Sequence, residues 1–220
     1  MVAQALGIIL LAVACSSGGS ERHNKTALPR WASYAWACEN EGVGCPGGPP
    51  SSLSGSLPAK LIRPLHFPSG TDTRCPATPG HDVRIPDFGL APTMALGNGP
   101  VGIVVDNVGD LRHGKVHLAV GEASGWLNLK THFISFPAYP GPFLVRARRL
   151  DRSGPIRLGG TPAQTAPLVV PAGPTPNGSA GWREIPYFTF VKAPGCYGWQ
   201  IDGLTFSEAI VARVLPPLHR

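Results

Sequence analysis

Pro194-Gly195-Cys196-Tyr197-Gly198-Trp199-Gln200-Ile201-Asp202-Gly203 is the stretch on which the fold reading turns. An Asp-Gly pair between two β-prone runs is a strong hairpin signal, because a type I′ turn needs positive φ at both central residues. The spacing predicts strands over 196–201 and 204–214, joined at Asp202-Gly203, as the closing hairpin of a β domain. Tyr197 and Trp199 share one face of the first strand, opposite Cys196, Gly198 and Gln200. Facing inward they fill a core, as the aromatics of sandwich interiors do; facing outward they form a platform for sugars or aromatic ligands. The inward arrangement is the expected one.

Working outward, short strands recur. Val101 to Val105 is an apolar run suited to a buried strand, and 116–121 alternates Val116, Leu118 and Val120 with polar or small residues. Strands are also expected over 126–136, 143–149, 168–170 and 185–192. In 143–149, Phe143, Val145 and Ala147 point inward, while Arg146 and Arg148 share a face expected to be a solvated edge. Gly and Pro punctuate the gaps, at Pro140-Gly141-Pro142, Gly154-Pro155 and Gly159-Gly160. Residues 61–68, with Pro64 and Pro68, read as an extended segment rather than a central strand. Evenly spaced strands without a helix-period stretch point to an all-β, antiparallel sandwich. A chain of 220 residues with 43% hydrophobic residues has room for one such domain, and 28 Gly with 25 Pro fit its many turns.

The N-terminal residues differ in kind. Residues 5–14 form an apolar run too short to span a bilayer but suited to a secretory signal, ending in Ala12-Val13-Ala14-Cys15. That ending resembles the lipobox of bacterial lipoproteins, which implies a signal peptide over 1–14, cleavage before Cys15 and acylation of its thiol. Ala12 stands where that family usually has Leu, and no Lys or Arg precedes the run. An ordinary signal peptide or an uncut anchor are the alternatives. Residues 15–60 read as a lipid-attached tether and turn-rich linker, beginning Ser16-Ser17-Gly18-Gly19-Ser20. Four cysteines remain after Cys15, and in an exported protein they are most simply two disulfides, for which three pairings exist. The short spacing favours Cys38 with Cys45, which leaves Cys75 with Cys196. A zinc site lacks the paired Cys-x-x-Cys spacing it would prefer.

Residues 61–214 carry a second resemblance. Arg63-Pro64-Leu65-His66-Phe67-Pro68, Arg74-Cys75-Pro76-Ala77-Thr78, Gly97-Asn98-Gly99-Pro100, the run from Gly141 to Asp151 and Ala193-Pro194-Gly195-Cys196-Tyr197 through Gly203 occur in that order. The set resembles a group of uncharacterised bacterial secreted or lipid-anchored proteins. It implies an Ig-like β-sandwich over 61–216, with the Cys-Pro motif near its start and the Pro-Gly-Cys motif in its penultimate strand. No activity comes with it.

The sequence carries few chemical motifs. Gly-x-Ser-x-Gly, phosphate-loop and His-Glu-x-x-His patterns are absent from the sequence. His113 and His117 lie four apart in a turn entering a strand, without a carboxylate triad nearby, and make a poor metal site. His66, His81, Asp82 and Asp87 occupy loops around Cys75, where hydrogen-bonded loop residues are the plain expectation. No cofactor or metal is expected. The net charge of +6 permits attraction to cell-wall polymers, lipid head groups or nucleic acid, although the charge is scattered and no nucleic-acid partner is expected. Two functions stand: a non-enzymatic envelope lipoprotein presenting a binding domain for a protein or glycan, held on a membrane through its lipid; or a secreted hydrolase or metal-dependent enzyme built from His66, His81, Asp82 and Asp106.

Overall fold

The computed structural model describes residues 57–69, 74–85, 93–106, 109–120, 125–162, 167–175 and 178–218. The leader, Cys15, Cys38 and Cys45 lie outside them, as does Asp87. Among the described residues the regular structure is two β-sheets and short 3-10 turns. The first sheet runs β1 (Gly80–Val83), β2 (Thr93–Leu96), β3 (Val101–Val105), β7 (Leu127–Ser135), β11 (Arg183–Val191) and β9 (Ile156–Gly159), and β6 (Ala119–Val120) also pairs with β7. The second runs β10 (Leu168–Val170), β8 (Phe143–Arg149), β12 (Gly195–Gly203), β13 (Ser207–Leu215), β5 (Lys115–His117) and β4 (Gly109–Asp110). The pairs are antiparallel except β13 with β5, which is parallel.

Strand order makes the sandwich Ig-like. β3, β7, β11 and β9 follow the A-B-E-D order of one immunoglobulin sheet, and β8, β12 and β13 the C-F-G order of the other. Phe133, Ile103 and Leu129 of the first sheet meet Phe143, Val145, Tyr197, Trp199 and Ile210 of the second in one core. Trp199 is 1% exposed, and its indole N–H crosses the interface to donate to Thr189 Oγ1 at 3.1 Å. The expected inward face of Tyr197 and Trp199 is therefore the observed one. Tyr197, at the start of β12, donates its hydroxyl to the Ala193 carbonyl at 2.6 Å, the tyrosine corner of immunoglobulin-like domains. Tyr197→Phe keeps the ring and leaves that carbonyl unpaired, so urea unfolding should show a loss of about 1–2 kcal/mol with an unchanged slope.

Several strands match their expected spans, notably Val101–Val105, Phe143–Arg149 and Leu168–Val170. Three departures have physical causes. The run 116–121 is two strands on different sheets, because the chain crosses the sandwich at the buried Leu118. β8 is not an edge: β10 and β12 flank it, so Arg146 is partly covered while Arg148 remains exposed.

The third departure is the hairpin tip. Asp202 pairs with Ser207 and the Gly203 N–H donates to the Phe206 carbonyl at 3.0 Å, which leaves Leu204-Thr205 at the tip. Gly203 is not among the glycines with positive φ. It is needed for space, since a Cβ there would lie 2.1 Å from the Phe206 ring. Asp202 is a strand residue because its carboxylate is fully buried and claimed from outside the hairpin.

Candidate functional site

The outer face of the second sheet holds the densest polar assembly, and the motif residues converge on it. Residues 62–68 form no strand, since the residues before Pro64 and Pro68 are held extended. They lie as a strap over β12. Leu61 anchors the strap against Leu144 and Val169. Phe67 covers Gly198, where a Cβ would stand 2.6 Å from the ring, so only glycine admits that approach. Arg63 donates to the carbonyls of Gly203 at 2.7 Å and Phe206 at 2.8 Å. Gln200 reads the strap backbone twice, accepting from the His66 N–H at 2.7 Å and donating to the Pro64 carbonyl at 3.0 Å.

Asp202 is the centre of this assembly. Its carboxylate is 0% exposed and accepts from Arg146 at 2.6 Å, Ser207 Oγ at 2.6 Å and Gln200 Nε2 at 3.1 Å, with Arg63 at 3.7 Å. Arg146 also donates to the Arg63 carbonyl, tying the strap to β8. With its oxygens accepting from one guanidinium, an amide and a hydroxyl, and a second guanidinium at ion-pair distance, the Asp202 carboxylate is committed to the fold rather than open to a substrate. Further along, Cys75 is disulfide-bonded to Cys196 with Cα atoms 5.4 Å apart. Thr78 then pairs with Val211 through its N–H at 2.7 Å and its Oγ1 at 2.9 Å. The Gly97-Asn98-Gly99-Pro100 turn is held in the same way from β13, where Glu208 accepts from the Asn98 N–H at 2.6 Å. Gly97 sits at φ +96°, a conformation that favours glycine.

The outer face of the first sheet carries a cluster that sequence reading missed. His132 Nδ1 meets Glu184 at 2.5 Å and its Nε2 meets Asp106 at 3.0 Å, while Lys130 donates to the same Asp106 oxygen at 2.7 Å. Burial alone would raise the Asp106 pKa, but hydrogen bonds and charge from Lys130 and His132 hold it below the usual carboxylate value. Both His132 nitrogens are engaged by carboxylates, so this imidazole presents no open position to a metal or substrate. A histidine among the alternating residues of one strand gives no signal in sequence; its partners come from two other elements.

At one end of the sandwich, Arg183 is 2% exposed and donates to the carbonyls of Pro171 at 2.7 Å, Gly173 at 3.1 Å and Gly141 at 2.6 Å. Burial brings its pKa down to about 10. It caps carbonyls that the loops leave over.

Of the residues considered for chemistry, His81 and Asp82 lie in β1 rather than in loops, because they pair with β2, and His66, Asp82 and Asp106 have separate local partners. His66 is engaged through its backbone by Gln200, Asp82 pairs with Arg112 at 3.3 Å on the surface, and Asp106 belongs to the His132 cluster. His81 has its Nδ1 buried without a hydrogen-bond partner, and it lies near Glu208, whose pKa burial raises. His113 bonds Asp110 at 2.7 Å and His117 the Pro216 carbonyl at 2.7 Å, so the two do not share a ligand. Among the described residues no three of His, Cys, Asp and Glu are grouped to hold a metal ion, and no helix is long and apolar enough to cross a membrane.

No protein-family model matches this chain, and no curated protein matches it. Among solved structures the chain is similar to the GAE domain of GGA2p from Saccharomyces cerevisiae, at 13% identity and a TM-score of 0.32 over 57% of this chain and 98% of that one. The likeness is too small to argue from, and the architecture rests on the strand order above.

Proposed function

We propose that this chain is a non-enzymatic cell-envelope lipoprotein, anchored by an acyl group at Cys15, that presents its Ig-like sandwich as a binding domain for an envelope protein or glycan. The observation that carries the reading is the Cys75–Cys196 disulfide, a bond that persists in oxidising compartments and fits an exported chain. The apolar run ending at Cys15 supplies the export signal and the acylation position. Supporting it, four polar residues of the shared motifs are spent on the fold: Arg63, Arg146, Gln200 and Asp202 bind one another and the strap. That leaves the loops at the ends of the sandwich for a ligand, as in other immunoglobulin-like domains.

Fractionation of cells expressing the full chain tests the anchor. The parent is expected in the membrane fraction and in the detergent phase, with mature protein heavier than its peptide mass by the acyl groups. Cys15→Ser should move the mature protein to the soluble fraction, because acylation supplies the membrane affinity. Membrane association unchanged by Cys15→Ser would replace the lipoprotein reading with an uncut leader.

A further inference from the structure

We propose that the outer face of the second sheet is a docking surface for an anionic phospholipid leaflet, with the strap inserting its exposed apolar side chains between head groups. The cations are placed by register. Ala212, Val214 and Val116 enter the core, so Arg213 and Lys115, which are partners across the parallel β13·β5 pair, point outward. Arg148 is outward on β8, opposite Gly198. Arg74 adjoins Cys75, whose disulfide fixes it above β12. All four are exposed, and among the described residues none has a carboxylate within ion-pair distance. Asp110 stands opposite Lys115 in register but pairs with His113 at 2.7 Å.

The same face carries two of the exposed apolar residues. Among the described residues the large hydrophobic side chains left exposed are Ile62 at 39%, Leu65 at 41% and Leu218 at 53%. Ile62 and Leu65 belong to the strap, whose intervening Arg63 turns the other way, into the sheet. The opposite sheet differs: Lys130 and His132 are matched by Asp106 and Glu184, Arg84 is a single exposed cation beyond β1, and Val83, Ala95, Val104 and Ile134 are buried. One face thus combines unmatched cations with exposed apolar groups, and that combination selects the occupant. Each basic group near a negatively charged leaflet raises partition about fivefold. A soluble polyanion would use the cations but give Ile62 and Leu65 no apolar surroundings, whereas the head-group boundary of a bilayer serves both.

The proposal takes from the envelope reading only that a leaflet lies within reach, and its test needs no acyl group. The probe is the full chain carrying Cys15→Ser, sedimented with vesicles of phosphatidylglycerol and phosphatidylcholine or of phosphatidylcholine alone. Partition should be at least about tenfold higher on the anionic vesicles and should fall toward the neutral value at high salt. Combining Arg148→Gln, Arg213→Gln and Lys115→Gln should remove most of that preference. Ile62→Ser with Leu65→Ser should lower binding to anionic vesicles several-fold while leaving the salt dependence. Arg84→Gln, beyond β1 on the other sheet, should change little. Near-UV circular dichroism identical to the parent certifies each variant as folded. Equal binding of the triple variant and the parent, or binding that ignores salt, overturns the proposal. So does anionic binding that a soluble polyphosphate reproduces and that the Ile62/Leu65 variant leaves untouched. Cell membranes washed at high salt lose this electrostatic contribution, so the fractionation of Cys15→Ser protein is read after such a wash and the two tests stay separate.

Discussion

Reducing the Cys75–Cys196 bond, or replacing both cysteines with Ser, is expected to lower the unfolding free energy by about 3–5 kcal/mol. The bond joins residues 121 apart, so it removes more unfolded-state freedom than a local bridge would. It also ties the segment that follows the strap to the start of a buried strand, since Cys196 is the second residue of β12 and 3% exposed. The domain should nevertheless remain folded without it. Arg63, Gln200 and Thr78 still hold the flanking segments, and the main core of Phe133, Phe143, Tyr197 and Trp199 lies on the other side of the sheet. Urea titrations of oxidised and reduced protein, followed by tryptophan fluorescence, supply the comparison. Coincident curves would show that the strap is held by the polar network alone.

This pairing also shows what sequence can and cannot carry. Alternation along 143–149 and 195–203 settles which side chains face the core, because a strand has a period of two and one face is apolar. Elimination by spacing likewise reaches Cys196 as the partner of Cys75. The short strands Gly80–Val83 and Ile156–Gly159 carry little alternation of their own and are strands because each pairs with a neighbour, β2 for the first and the longer β11 for the second. The Asp202-Gly203 error is of the same kind. Locally the pair matches a turn, but a fully buried carboxylate and a ring packed on Gly203 outweigh that preference. The strap network was unreadable for a related reason: Arg63, Arg146 and Asp202 are far apart in the chain and meet only once the sheet exists. A compositional scan sees three charged residues, whereas the fold makes one assembly of them.

Asp202→Ala should cost about 3–5 kcal/mol, because it strands two partly buried arginines that the carboxylate now neutralises. Asp202→Asn should cost less, since the amide oxygen can still accept from Ser207, while the charge and the acceptor facing Arg146 and Gln200 are lost. The interaction with Arg146 can be isolated by pairing Asp202→Asn with Arg146→Gln. The double variant should be more stable than the sum of the singles implies, by at least about 1 kcal/mol, because the second change removes the cation the first left unmatched. Hydrogen exchange then distinguishes a strap lock from a general core defect. In Asp202→Asn the His66 N–H, which donates to Gln200, should lose protection first, together with Thr78 and its neighbours if the disulfide does not hold them. The amides of β7, paired on both sides by β3 and β11, should keep theirs. Uniform loss of protection across both sheets would mean that Asp202 supports the sandwich as a whole. Loss confined to the strap would mean that the strap, with Ile62 and Leu65 on it, is a cover locked to β12 through one buried charge.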